Sequence, residues 1–400
     1  MSENVSAEKS AKVSAAGFGG KGVAVAIVVA AILTVGGLAL WAFQLTSGMV
    51  NTNMRNLDSW GLYITMFMFL VGLSAGGLII SSAPRVFGME GFGGVSKIAV
   101  WTSICCTVLA IGFVVIDLGQ PLRLWELFVY SNLGSPLMVG HHRAGHVPDP
   151  VHRVFVGYAA LRGRQGSAAA LRVVSAIALV CAVLVHSVTA WIFGLQQGRE
   201  MWHTALLGPW FVSSALVCGV ALVLVVVIAL RKAGYLELAQ EHVVKMLKLL
   251  GVFVMVDLYF FGCDLLTEGF PAGSGAEVVA MLTTGPLAPF FWIEVVGCAA
   301  TAVIAFVPKL RTNPLIVIAA VLAIVGIFCK RVQLLVGGFQ IPNLDMPAVV
   351  SGPALTDAGA ALQSAGGSMV YFPSMLEFGV VLGVFGLGAL MLLLGLKFLR

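Results

Sequence analysis

The sequence predicts an all-α, polytopic transmembrane helical bundle, and three observations carry that expectation. Hydrophobic residues fill 59% of the 400 positions and charged ones 10%, against about 45–50% and about 25% in an ordinary soluble domain. Mean hydropathy is +1.00. The apolar residues gather into nine runs, at 23–45, 60–83, 97–116, 169–194, 206–230, 243–266, 287–307, 315–337 and 376–396, each about the 20 residues that a helix needs to cross a bilayer. So few charged side chains cannot clothe a soluble fold of this length, which excludes a water-soluble enzyme, a disordered chain and a disulfide-stapled secreted scaffold. A net charge of +5 serves to orient the spans and does not point to a nucleic-acid partner.

Taken in order, residues 1–22 form a basic tail with Lys9, Lys12 and Lys21. The first apolar run exceeds the roughly 7–15-residue core of a cleaved signal peptide, so it is expected to remain as the first helix of a membrane domain over 23–397. Lys and Arg fall on alternate connections. Arg85 and Lys97, then Arg231, Lys232, Lys245 and Lys248, then Lys309 and Arg311, and finally Lys397 and Arg400 mark one side. The other side holds Arg55, Arg123 and Arg199 singly, and its long connections at 267–286 and 338–375 hold neither residue type. The positive-inside rule therefore makes both termini cytoplasmic.

That orientation demands one more crossing. Counted forward, span 97–116 exits outside, whereas span 169–194, counted back from the C-terminus, enters from inside. The intervening stretch carries His141, His142, Arg143, Pro148, Asp149, Pro150 and Arg153, and each central charge would cost about 2.5–3.5 kcal/mol in a lipid-facing helix. Sliding the codons of Val139–Tyr158 by one nucleotide turns Val-Gly-His-His-Arg into TNG-GNC-AYC-AYC-GNG, which admits Trp-Asp-Ile-Ile-Val. The shifted frame then continues as an apolar helix. Residues 139–166 are therefore expected to be an out-of-frame translation between two compensating indels, disrupting the fourth of ten intended spans. The rival is a His-rich metal-binding loop built on His141, His142, His146 and His152, which leaves the missing crossing unexplained.

The seven cysteines, Cys105, Cys106, Cys181, Cys218, Cys263, Cys298 and Cys329, lie in apolar runs with no C-x-x-C, no C-x-x-C-H and no zinc-type Cys and His spacing. They read as small buried hydrophobes. A b-type haem would need axial histidines within spans, where only His186 stands; His203 and His242 are at helix ends. No metal, haem or iron–sulfur cluster is expected in this protein.

Ionisable residues inside spans are costly and are functional candidates. Asp117, Asp264, Lys330 and Arg331 fall toward outer helix ends, Glu294 in the outer half of its span, His186 in the outer third and Tyr63 near the outer end of the second span. Asp257 is close to mid-membrane. Charges from five helices gathered in one leaflet predict one polar pocket there. For Lys330 and Asp117 an interfacial, snorkelling side chain is an equally good reading. Gly72, Gly76 and Gly77 are read as close helix packing rather than ligand lining.

Several stretches resemble the NrfD, or polysulfide reductase membrane-subunit, family, above all its longer ten-helix members. They are DSWGLYI and GLSAGG (58–64, 72–77), DLGQPLR (117–123), SPLM (135–138), VHSVTAWIFG (185–194), WHTALLGPWFVSSAL (202–216) and KRVQLLVGG (330–338). After SPLM the family resembles Trp-Asp and an apolar helix, as the shifted frame restores. The resemblance implies a multi-pass subunit of a bacterial or archaeal inner membrane that is not catalytic alone. It would exchange electrons between menaquinone, or a similar quinone, and a docked ferredoxin-like iron–sulfur subunit that leads to a molybdopterin or multihaem catalytic subunit. It further implies His186, Ser187, Tyr63, Asp117, Asp264 and Arg331 as quinone-pocket residues. Quinone chemistry couples two electrons to two protons, so a His and one or two carboxylates suit it; His186, Asp264 and Glu294 are the expected catalytic groups. A secondary transporter with an intramembrane charged site is the alternative, although the paired, interrupted half-repeats common in such folds are not evident.

Without internal metal centres electrons cannot hop across a core of about 30 Å. The iron–sulfur partner is thus expected on the outside, against 267–286, with Glu268 and Glu277, and 338–375, with Asp345 and Asp357. For residues 139–166, a DNA read across codons 135–170 is expected to reveal two compensating indels. One uninterrupted frame, together with a native peptide containing HHRAGHVPDPVHR, would end the frameshift reading.

Overall fold

The structure is a computed structural model that describes residues 12–13, 21–54, 58–86, 93–130, 168–270, 274–340 and 371–398. Helices run as α1 (Lys21–Ser47), α2 (Leu62–Val86), α3 (Gly93–Asp117), a four-residue α4 (Glu126–Val129), α5 (Ala168–Gly194) and α6 (Leu207–Lys232). They continue as α7 (Gln240–Gly269), α8 (Ser274–Thr283), α9 (Ala288–Phe306), α10 (Asn313–Gln340) and α11 (Met375–Phe398). Among the described residues nine of these are long and apolar enough to cross a membrane, and they coincide with the nine runs read from hydropathy. Helices satisfy every backbone polar group internally, which a segment in lipid must do. The connection 267–286 holds an element that hydropathy missed: α8 is ten residues long, too short to span.

Helix ends follow local chemistry. α11 opens on a capping box, in which the Ser374 amide donates to Glu377 at 2.7 Å and the Glu377 amide donates to Ser374 Oγ at 3.3 Å. α6 stops before Gly234, whose φ of +78° suits a residue without a Cβ. Past that turn, β2 (Leu236–Glu237) pairs antiparallel with β1 (Lys12–Val13) of the tail.

α2 and α6 form the centre of the bundle. The core of α2 is 83% buried, against 17% for α1, which packs mainly on α11 at the periphery. A Cβ on Gly76 would lie 2.0 Å from the Ala215 carbonyl oxygen, and one on Gly219 would lie 2.3 Å from the Gly76 Cα. The two backbones therefore touch, as small residues permit in a bilayer, where the hydrophobic effect does not drive helices together.

Contacts at the two ends sort the connections as the Lys and Arg pattern predicts. Asn53 donates to the Phe372 carbonyl at 2.8 Å, Arg199 to the Gly338 carbonyl at 3.3 Å, and Gly119 abuts Met49; we call this the outer end. At the other, Arg231 donates to Gln240 and Gln240 to Asn313, both at 2.8 Å. α3 leads to the outer end and α5 also finishes there, against Thr204 and Leu207. α3 therefore ends, and α5 begins, at opposite ends of the bundle. Residues 139–166, on which the frameshift reading rests, lie outside the described residues.

Filling the α2–α6 contact is expected to be destructive. Gly76→Val drives methyl groups into the Ala215 carbonyl, and overpacking costs about 1–3 kcal/mol. Thermal unfolding of the detergent-purified protein should move down accordingly, while Gly112→Ala, where a Cβ meets nothing within 4 Å, should leave it unchanged.

Candidate functional site

The site is built where α6, α7, α9 and α10 meet. Successive residues on a helix point about 100° apart, so Lys330 and Arg331 on α10 serve different neighbours, and so do Ser213 and Ser214 on α6. Lys330 Nζ forms an ion pair with Asp257 of α7 and another with Glu294 of α9 at 3.3 Å, and lies 4.6 Å from the Trp210 ring centre. Ser213 donates to the second Asp257 oxygen at 2.8 Å, and Gln333 Nε2 to Glu294 Oε2 at 2.8 Å. All of these groups are buried.

Arg331 is fully buried with its guanidinium 3.8 Å above the Phe211 ring. Its Nη2 donates to Ser214 Oγ and lies 3.5 Å from His186 Nε2; Ser214 in turn donates to the Phe211 carbonyl at 2.8 Å. Nε and Nη1 of Arg331 find no partner among the described residues. An unsatisfied buried donor costs about 1–3 kcal/mol, more when charged, so a guanidinium left this way is open to a ligand.

Arg331 stands on the wall of a narrow, partly open cavity. Glu294, Lys330 and Gln333 share that wall, Asp264 and Glu268 line the cavity from α7, and Trp210, Phe211, Phe261, Val278 and Leu282 give it apolar sides. Asp264 takes a hydrogen bond from Thr204, and its Oδ1 has no partner among the described residues. The set offers donors, acceptors and an apolar slot to one small molecule with polar oxygens. Among the described residues no three His, Cys, Asp or Glu side chains gather to hold a metal ion.

The single pocket expected from depth divides in two. Asp264, Glu294 and Arg331 meet at the cavity. His186 lies behind Arg331 and is not on the cavity wall. Ser187 spends its hydroxyl on the Val183 carbonyl at 2.9 Å, and the hydroxyl that reaches Arg331 is that of Ser214. Tyr63 and Asp117 belong elsewhere. Tyr63 donates to Gln44 of α1 at 2.7 Å, stacks near Phe113, and feels the charges of Asp117 and Glu377. Glu377 also accepts from the Asn53 amide at 3.1 Å and from Tyr371, which itself accepts from the Leu62 amide at 2.9 Å. Burial and the adjacent Glu377 raise the Tyr371 hydroxyl above its ordinary range and keep it a donor. Depth along a helix was readable from the sequence; the face on which each residue stood was not. Lys330 is no snorkelling side chain but the buried counter-ion of Asp257. Ser213, Ser214 and Gln333 were missed, although all three lie within the motifs quoted above.

Fold and site define a multi-pass integral membrane protein with an ionisable cavity enclosed by its helices. The family model described as polysulphide reductase, NrfD, matches residues 50–143 and 153–343, and the chain belongs to that family. The break, 144–152, falls within the stretch read as frameshifted. A Halobacterium salinarum protein named as a membrane subunit of a dimethyl sulfoxide reductase is 31% identical, over 93% of this protein and 90% of its own length. An Archaeoglobus fulgidus protein named Hdr-like menaquinol oxidoreductase integral membrane subunit is 26% identical over 94% and 92%. A Wolinella succinogenes protein named as one of the polypeptides of polysulfide reductase is 24% identical over 71% and 95%. These are membrane subunits of reductase complexes, and they support an oxidoreductase-associated role for this protein.

Removing one charge from the ion cluster is expected to cost more than removing two. Lys330→Met leaves Asp257 and Glu294 buried without their ion-pair partner, a loss of about 3–5 kcal/mol. Lys330→Met with Asp257→Leu should recover part of it, read as non-additive shifts in thermal unfolding.

Proposed function

We propose that this protein is the quinone-interacting membrane subunit of a respiratory oxidoreductase complex. It would exchange electrons between a menaquinone-type quinone in the cavity and a docked ferredoxin-like iron–sulfur subunit, which passes them to or from a molybdopterin or multihaem catalytic subunit. The observation that carries this reading is the buried Arg331 guanidinium, whose Nε and Nη1 find no partner among the described residues, in a cavity lined also by Glu294 and Asp264. The name of the Archaeoglobus relative, a menaquinol oxidoreductase subunit, supports the choice of quinone.

A quinone gains or loses two electrons together with two protons, so its two ring oxygens need partners and a route for protons. Arg331 donates to one oxygen and, being a cation, stabilises negative charge there. Glu294 and Asp264 hold and release protons at the cavity wall, and general acid–base groups of this kind contribute about 10²–10⁴ in rate. Lys330 and Gln333 orient Glu294, while His186 and Ser214 hold the far side of Arg331. Tyr63, Asp117 and Ser187, which the family resemblance assigns to quinone binding, act in this reading from outside the cavity. The iron–sulfur partner docks at the outer end, on the side of the quinone, against 267–286 and the 338–375 connection, of which 341–370 lie outside the described residues. Both termini are cytoplasmic.

Glu294→Gln, Arg331→Lys and His186→Ala are to be compared in the assembled complex by quinol-dependent electron transfer. Glu294→Gln and Arg331→Lys should each lower turnover about 100-fold, and His186→Ala should abolish it, with the subunit still in the membrane. Wild-type turnover in all three would overturn the reading. Redox-independent solute uptake into proteoliposomes would favour a transporter instead.

A further inference from the structure

The sixteen side chains around the cavity differ in exposure. Eleven are buried, including every one on α6, α9 and α10, whereas Asp264, Leu265 and Glu268 of α7, Val279 of α8 and Met201 are partly exposed. The opening among the described residues is therefore at the seam of α7 and α8. That seam has two characters. Asp264 and Glu268, one turn apart, make a carboxylate rim, and Leu265 with Val279 makes an apolar one. Beyond the apolar rim α7 presents Leu266, 74% exposed, and Phe270, 92% exposed. The opposite wall, with Glu294, Lys330, Arg331 and Gln333, is polar and closed.

α8 makes this arrangement possible. It is a ten-residue helix that buries Val278 and Leu282 and leaves Glu277 exposed, so it covers the cavity without crossing the membrane. Its junction with α7 is also close, since a Cβ on Gly269 would lie 3.5 Å from Val279 Cγ2. Two full-length helices would pack along their whole height and shut the seam. A junction between one long helix and one short one leaves an opening at the side.

We propose that the α7–α8 seam, rimmed by Leu265 and Val279, is a lateral portal that binds the polyisoprenoid tail of the quinone and admits the headgroup from the bilayer. This rests on the reading of the cavity as a quinone site and adds the place where the tail leaves it. A tail of tens of carbon atoms cannot be folded inside the bundle beside a bicyclic headgroup, so it must emerge through an apolar gap. The Leu265 and Val279 rim is apolar and continuous with lipid, and the carboxylate rim suits protons rather than hydrocarbon.

The test uses the assembled complex with two quinols, a long-tailed menaquinol and tail-less menadiol. Leu265→Trp and Val279→Trp narrow the portal. The expected result is a KM ratio of long-tailed quinol to menadiol raised at least 10-fold. Unchanged kinetics with both quinols would overturn the portal while leaving the quinone site intact. Should both activities fall together, the wild-type complex decides: a menaquinone bearing a diazirine in its first isoprene unit should label peptides within 259–283, in competition with menaquinol. Saturable labelling confined to other helices would overturn the portal. Absence of saturable labelling anywhere on the protein would overturn the quinone reading itself.

Discussion

Lys330 is buried within the bundle, and the helices are arranged so that two carboxylates from two others meet it. Asp257 comes from α7 and Glu294 from α9, with Ser213 of α6 completing the hydrogen bonds of Asp257. Apolar side chains gain little by leaving lipid for one another, so a satisfied polar cluster selects one arrangement of four helices among many that would bury similar area. The same cluster aims Glu294 at the cavity. The neighbouring residue, Arg331, keeps donors without a partner among the described residues.

The α2–α6 contact is the complementary constraint. Gly76 and Gly219 bring the backbones together, so α6 sits between the ion cluster and the α2–α3–α5 group. Through Ser214 and Phe211 the same helix touches both Arg331 and, at 5.6 Å between ring centres, His186. One helix thus links the cavity to the histidine that the family motifs single out. The Tyr63 group follows a different logic: Glu377 closes a capping box and collects Tyr371 and the Asn53 amide, which ties the start of α11 to the connection after α1. Those are bonds that shape the outer end of the bundle.

The sequence alone determined what depends on one helix at a time. Span number, span limits and the sorting of connections into two ends follow from hydropathy and charge, because a bilayer imposes both on each segment separately. The expected crossing between Tyr130 and Ala168 came from the same reasoning, and residues 131–167 lie outside the described residues. Family membership followed from the order of short motifs along the chain. Tertiary structure decided everything that depends on helix rotation and pairing. Asp117 and Asp264 are alike in sequence, both acidic and both near an outer helix end, yet only Asp264 faces the cavity, because the azimuth of each helix is set by its neighbours. Ser187 sits beside His186 in sequence and bonds its own helix, while Ser214 of another helix accepts from Arg331, the neighbour of His186. Lys330 passed for an interfacial side chain until Asp257 and Glu294 stood beside it, and no rule of spacing brings residues 73 and 36 positions apart into one ion cluster.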